Sequence, residues 1–423
     1  MLFLRNARHL GRMCDLLVRD GRVAAFGPSG SLKAPAGVDI VDAADRILFP
    51  SFVDAHVHLR EPGFEWKEDV RSGLEAAAYG GIAHVLCMAN TDPVNDCAAV
   101  TRDILARGAA SHPHGPFVHP VAAATMGLEG KALAPLGELK EAGCIAVSND
   151  GRPLADSEIL RRVMEYGADL GLILIDHCED PWLARGAHMN EGDMSGMLGL
   201  RGQPDVAEAI QAERDILLAE YLDLPVHIAH VSARRTLEVI RRGKERGVRV
   251  TAETCPHYLL LTEEALAGYD ANAKVNPPLR TRADVEAMRA AVKSGLIDIM
   301  VTDHAPHAAH EKEHPLDLAP NGITGLDTAV SLLWSLVEEG VLDERDMIRL
   351  YSHRPGEIFG IPTNSFREGD PADFFLFDPR REWVVSPETL HSKSANTPWL
   401  GRTLRGRVSA HWIGGVRVAQ LQS

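Results

Sequence analysis

The chain has 423 residues, 45% hydrophobic and 24% charged, which suits a large globular fold with a smaller second unit and excludes a disordered or fibrous chain. Its formal charge of −15 argues against nucleic acid or an anionic membrane surface as the main partner, because both are met by basic patches. No apolar run reaches membrane-spanning length, and charges come too early at the N-terminus for a signal peptide. The six cysteines (14, 87, 97, 144, 178, 255) contain no CxxC pair, so a cytoplasmic protein with reduced thiols is expected.

In chain order, residues 1–48 read as short strands and turns, with Asp20-Gly21 as a hairpin signal. From Ile47 the pattern becomes strand then helix. Eight apolar strands are expected within 47–59, 82–91, 117–125, 144–150, 172–180, 224–232, 248–260 and 297–307. Charged helical stretches separate most of them, several closing on glycine. Such alternation implies parallel pairing, and eight units imply a closed (β/α)8 barrel over 49–363. An open doubly wound sheet is the alternative, but no Gly-rich phosphate turn follows the first strand. After the eighth strand come a long charged loop (307–322), expected to lack helix and to act as a lid, and two helices. Helix-free strands return near the C-terminus. Residues 1–48 and 364–423 are therefore expected to pair into one small β-sandwich domain.

A barrel of this type places its site at the C-terminal strand ends. Those ends carry His56 and His58 (first), Asn90 (second), Asp150 (fourth), His177 (fifth), His230 (sixth), Asn276 (after the seventh), and Asp303 with His307 (eighth). His56 and His58 are two apart and can aim at one point if they share a strand face. Each histidine alone has a plain structural reading, as a packed or solvated ring. Four imidazoles and two carboxylates at one end of a barrel instead form the donor set of a two-metal hydrolytic site. Mixed N/O donors suit Zn²⁺, with Mn²⁺ or Co²⁺ as substitutes, and Asp150 can offer one oxygen to each of two ions. The remaining histidines read otherwise: His227 as packed, His112, His114 and His119 as surface residues, His257 as structural or supporting. Asp54 is expected to share the face of the two histidines one layer deeper, as a hydrogen-bonding support.

The motifs DAHVHLREPGFEWKEDVRSG, NTDPVND, SNDG, MNEG, HIAHVSA, TAETCPHYLLLTEEAL, KVNPPLR, TDHAPH, GITGL and SKSANTPWLGRTLRGRV run through nearly the whole chain. With them the sequence resembles the amidohydrolase superfamily and, within it, bacterial type I dihydroorotases. The resemblance implies a zinc site held by His56, His58, Asp150, His177, His230 and Asp303. It further implies a substrate carboxylate bound by Arg60, Asn90 and His307, and a ring held by Asn276 and the backbone at Asn321 and Gly322. The implied reaction is the reversible cyclisation of N-carbamoyl-L-aspartate to L-dihydroorotate in pyrimidine synthesis, with Asp303 as general base. Implied partners are a small-molecule substrate, further copies of the chain and aspartate transcarbamoylase. Two other readings stay open: another cyclic amidase of allantoinase or hydantoinase type, and a non-catalytic partner of aspartate transcarbamoylase. The sequence departs from the family pattern at Ala89 (usually Pro), Asn149 (usually Asp), Asn321 (usually Phe) and in PSFVD, where PGLID-like residues are usual.

Overall fold

The structure, a computed structural model, describes residues 1–421. Eight parallel strands, Phe52–Val57, Ile82–Cys87, Phe117–Ala123, Ala146–Ser148, Ile173–Asp176, Val226–Ile228, Val250–Thr254 and Ile299–Met300, pair in chain order. The last meets the first through a single bridge between Val57 and His304, where the His58 N–H donates to the His304 carbonyl at 2.8 Å. The sheet is thus the expected barrel and not an open one. Helices such as Ser157–Asp169 and Arg282–Ser294 cover it, each turning one apolar stripe inward. Asp156 and Thr281 accept backbone N–H groups at their N-termini.

Alternation along the strands makes two cores. Val53, Ala55, Leu86, Val121, Ile175 and Ile299 fill the barrel, while Val85, Cys87, Val147, Leu174, Val226 and Ile228 face the helices. The first strand breaks this alternation. Its pairing with the second is irregular between Asp54 and Val57, and this turns His56 and His58 inward. Asp54 therefore does not share their face, contrary to expectation. Its carboxylate accepts from the Tyr351 hydroxyl at 2.6 Å and from the backbone of Thr302 and His56.

The expected apolar strand over 47–59 is two strands broken at Ser51. Ile47–Pro50 pairs antiparallel with Phe374–Phe377, so the small sheet runs two residues past position 48. That sheet combines five strands from the N-terminal end with Phe374–Val384, Thr403–Ile413 and Val416–Gln420. Leu2, Leu4, Leu16, Leu48, Phe374 and Trp412 share its own core. Asp20 and Gly21 both have positive φ, as a two-residue hairpin turn requires. Gly21 and the Gly414–Gly415 turn of the opposite end both bond to Ala372, which curls the sheet onto itself.

The opposite face of the sheet seals the barrel. Phe375 lies 5.4 Å from Phe49 and 5.0 Å from Phe52, ring centre to ring centre, and all three are fully buried. Because these rings carry the packing of the small sheet on the core between barrel and helices, Phe375→Ala is expected to cost about 3–5 kcal/mol. Urea unfolding should show a clearly lowered midpoint; an unchanged midpoint would mean the seam carries no stability.

Candidate active site

The strand-end residues converge. Asp150 sits at the centre: its Oδ1 is 3.3 Å from His230 Nε2, 3.4 Å from His56 Nε2 and 3.6 Å from His177 Nδ1, while Oδ2 is 3.5 Å from His58 Nε2. Asp303 Oδ1 lies 3.1 Å from His58 Nε2 and 3.7 Å from His56 Nε2. All six residues are buried. Arg60, His230 and Asp303 have φ of 63°, 28° and 46°, a strained region for such residues and one in which functional side chains concentrate.

Hydrogen bonds from behind decide which ring nitrogen each histidine turns to the centre. His56 Nδ1 meets Glu253 Oε1 at 2.7 Å, and Glu253 Oε2 meets His227 Nε2 at 3.0 Å. His58 Nδ1 meets Asn90 Oδ1 at 2.7 Å. Asn90 accepts there, so its NH₂ group is left for the cavity. His177 Nε2 lies 3.5 Å from Glu179 Oε2, which also accepts from Asn276 at 2.8 Å and from Gln203 at 3.2 Å. His56 and His58 therefore present Nε2 and His177 presents Nδ1, while His230 turns Nε2 to Asp150 with its buried Nδ1 lacking a hydrogen-bond partner.

These donors fit a divalent cation. His56, Asp150 and His230 form one trio with ligand atoms within 4.8 Å of one another, and His56, His58 and Asp303 form a second. His56 Nε2 is buried, has no hydrogen-bond partner and faces both carboxylates, as a metal-ligating nitrogen would. Burial favours a neutral Asp150, but the imidazoles of His56, His177 and His230 outweigh it and hold the carboxyl well below its usual range. Burial likewise lowers His177, yet Asp150 and Glu179 raise it to about 10. A cation competes with those protons for the same lone pairs. A third buried group, Asp176, Cys178 and Asp215, already has its cation in the Arg214 guanidinium, 2.8 Å from Asp215.

Above the cluster lies a cavity of about 230 Å³ lined by His58, Arg60, Asn90, Asp150, His177, His230, Asn276, Asp303, His307, Asn321 and Gly322. Every site residue expected from sequence lines it except His56, which lies beneath. Arg60 Nε donates to the Pro306 carbonyl at 3.1 Å and its guanidinium faces His307 at 3.4 Å. Asn321 offers its backbone oxygen to His307 Nε2 at 2.8 Å while its side chain points to solvent, so an Asn in place of Phe leaves this contact intact. Gly322 has φ of 149°, and a Cβ there would come within 2.4 Å of the Ala305 oxygen. Asn149 accepts from Thr125 and donates to the Leu128 and Arg152 carbonyls, shaping the turn that carries Asp150. A carboxylate at 149 would lack those two donors.

Other expectations need correction. The segment after His307 contains a short helix, Ala309–Lys312. It is also anchored from below: the buried Lys312 ammonium donates to Ala271 and Pro320 carbonyls at 2.8 Å, and buried Lys274 to Leu316 and Ala319 at 2.6 Å. His119 is half-buried and not a freely solvated surface residue. It pairs with His84 at 3.0 Å beneath the barrel, and burial pushes its ring down to about 4. His227 is packed as expected, and its link to Glu253 makes it part of the support for His56. His257 is buried beside Tyr258, and burial lowers its ring to about 4. Glu253, Glu179 and Asn396 were not anticipated. Asn396 accepts from the His307 N–H at 2.9 Å and donates to the Ala305 and Gly322 carbonyls. A carboxylate inside an apolar strand, as at Glu253, is the one signal of this kind that a sequence displays, since it demands a buried partner.

Comparison with known sequences gives one family. Residues 45–236 match a family model described as dihydro-orotase-like. The dihydroorotase of Pelobacter propionicus is 48% identical over 401 residues, 95% of this chain and 94% of that protein. That of Geobacter metallireducens is 46% identical over 406 residues, 96% and 95% of the two chains. Among solved structures, the L-hydantoinase (dihydropyrimidinase) from Arthrobacter aurescens superposes with a TM-score of 0.86 over 100% of this chain and 96% of its own, at 22% identity, a likeness of fold.

The role of Glu253 can be measured directly. Glu253→Gln leaves the shape and removes the charge behind His56, so metal affinity should fall by about 10–100-fold. Metal retained during dialysis against a graded chelator would report this, and equal retention by both proteins would show that Glu253 does not tune the site.

Proposed function

The chain belongs to the dihydroorotase family, and from that premise we propose that it interconverts N-carbamoyl-L-aspartate and L-dihydroorotate, a cyclic amide hydrolysis and its reverse, within pyrimidine synthesis. The observation that carries this reading is the meeting of a His/Asp cluster with the guanidinium of Arg60 and the amide donor of Asn90 in one cavity. The cluster suits amide hydrolysis. The two donors suit a carboxylate, which accepts hydrogen bonds and matches the guanidinium fork. Hydantoin and allantoin lack that carboxylate, so these donors favour a dihydroorotase over another cyclic amidase. The complete donor set likewise favours an active enzyme over a non-catalytic partner of aspartate transcarbamoylase. All six cysteines are free, which suits the reducing cytoplasm.

We assign the metal as Zn²⁺, two ions, which His56, His58, Asp150, His177, His230 and Asp303 would hold; the two oxygens of Asp150 face different imidazoles. Bound there, zinc would supply Lewis acidity for activating a water and polarising the substrate carbonyl. The chain's own residues do the rest. Arg60, Asn90 and His307 hold the carboxylate, which fixes the ring over the cluster. Asn276, tied to Glu179, and the backbone at Asn321 and Gly322 hold the ring.

Asp303 is the general base. Burial would favour its neutral form, but His58, His56 and His230 outweigh this and keep it ionised. In ring opening it takes a proton from water as the oxygen bonds to the amide carbon. It then delivers that proton to the ring nitrogen as the carbon–nitrogen bond breaks, leaving a carbamoyl NH₂ and a carboxylic acid that releases its own proton to solvent to become the new carboxylate. In ring closure the same carboxylate takes the proton from the carbamoyl nitrogen.

The purified, zinc-loaded chain should open dihydroorotate and leave hydantoin and allantoin intact; no turnover with metal bound would reject the assignment. Asp303→Asn should keep substrate affinity and lose about 10²–10⁴-fold in kcat. Arg60→Ala should raise KM by about tenfold or more, with a smaller change in kcat. Near-normal kinetics in either variant would remove that residue from its role.

A further inference from the structure

Lys67 lies in the same motif as His56, His58 and Arg60, yet it does not line the cavity. Its side chain is only 14% exposed, and its ammonium sits 3.3 Å from His307 Nδ1 and 2.8 Å from Glu311 Oε1. The rings of Phe64 and Trp66 flank that ammonium at 5.4 and 6.0 Å. The backbone is held as well: the Lys67 N–H donates to Phe64 O and the Ser394 hydroxyl donates to Lys67 O at 2.6 Å.

An ammonium has donors only, so the ring nitrogen facing it has to offer a lone pair. The other nitrogen, Nε2, faces the Asn321 carbonyl at 2.8 Å, and a carbonyl only accepts. These two contacts demand the same tautomer, with the proton on Nε2 and the lone pair on Nδ1; the Arg60 guanidinium also faces Nε2, but at 3.4 Å it is farther than the carbonyl, which takes the proton. The ring is also neutral: burial, then the charges of Arg60, Lys67 and Lys312, push it down to about 2.

We propose that Lys67 is a positioning residue that locks His307 as the Nε2–H tautomer, so that the ring edge bordering the cavity carries a proton, shared with the Asn321 carbonyl, and never a lone pair. This rests on the dihydroorotase reading given above. Without Lys67, nothing on the Nδ1 side forbids a proton there, and the ring can then turn a lone pair toward the cavity. A lone pair repels the carboxylate that Arg60 attracts. Glu311 keeps the ammonium in place, and its other oxygen accepts from the Ala308 N–H at 2.9 Å, so the loops after the first and eighth strands are fixed to one another at this point.

The tautomer is read without substrate, from ¹⁵N shifts of histidine-labelled protein, with the His307 signals assigned by their loss in His307→Asn. The wild type should show the Nε2–H form. Lys67→Met should show Nδ1–H or a protonated ring and raise KM for dihydroorotate about tenfold, with kcat within about twofold. Lys67→Arg, which keeps a donor at Nδ1, should restore both. An unchanged tautomer in Lys67→Met, or a loss in kcat at unchanged KM, overturns the proposal. So does a wild-type ring protonated on Nδ1. Failure of the wild type to open dihydroorotate would instead overturn the functional reading, while the ¹⁵N measurement still decides what Lys67 does to the ring.

Discussion

Closure of the barrel is the constraint on which the site depends. The eighth strand has only two ladder residues, Ile299–Met300, and it reaches the first strand by one bridge. A buried carboxylate does what a longer ladder would have done. Asp54 accepts from the Thr302 N–H on the far side of the seam and from the Tyr351 hydroxyl, and Tyr351 packs 4.9 Å from Phe52. Burial pushes Asp54 up to about 6, with the tyrosine and backbone donors drawing it back. The seam sets the distance between His58 and Asp303, which sit immediately beyond it on opposite strands. A loosened closure would separate one half of the donor set from the other.

Holding so many polar groups in one buried place is costly unless each has a partner. The arrangement solves this in two layers. Carboxylates and imidazoles face each other at the centre, in a donor set that fits a cation. Behind them Glu253, Asn90 and Glu179 each take one ring N–H. Removing a group from the rear layer therefore disturbs which nitrogen faces the centre, even though the group touches neither substrate nor metal.

The sequence displays the inner layer and conceals the outer one, for a physical reason. Strand ends of a barrel converge whatever the intervening helices are, so His56, His58, Asp150, His177, His230 and Asp303 could be grouped from the strand pattern alone. The partners of these residues come from other strands at other depths. Glu253 is 197 positions from His56, and nothing in its own stretch says which ring it meets. Strict alternation places Asp54 on the histidine face, but a bulge between Asp54 and Val57 shifts it off, and the start of a strand does not reveal that His119 pairs with His84. The break at Ser51 is equally hidden: one apolar run serves two sheets, and only the pairing partners tell where it divides.

The same reasoning explains why a motif near the C-terminus, far from the barrel in sequence, belongs to the site. Ser392 and Lys393 bond to buried Glu68, whose carboxylate also meets His304 at 3.2 Å, the residue that bridges the seam. Ser394 holds the backbone of Lys67, and Asn396 holds His307, Ala305 and Gly322. This segment threads between the loops after the first and eighth strands and satisfies backbone groups that would otherwise be buried unpaired. It is delivered by the two long strands of the small sheet, Phe374–Val384 and Thr403–Ile413, between which it lies. The small sheet thus shapes the cavity without supplying a residue to it: it anchors both ends of the segment that holds the loops after the first and eighth strands in register.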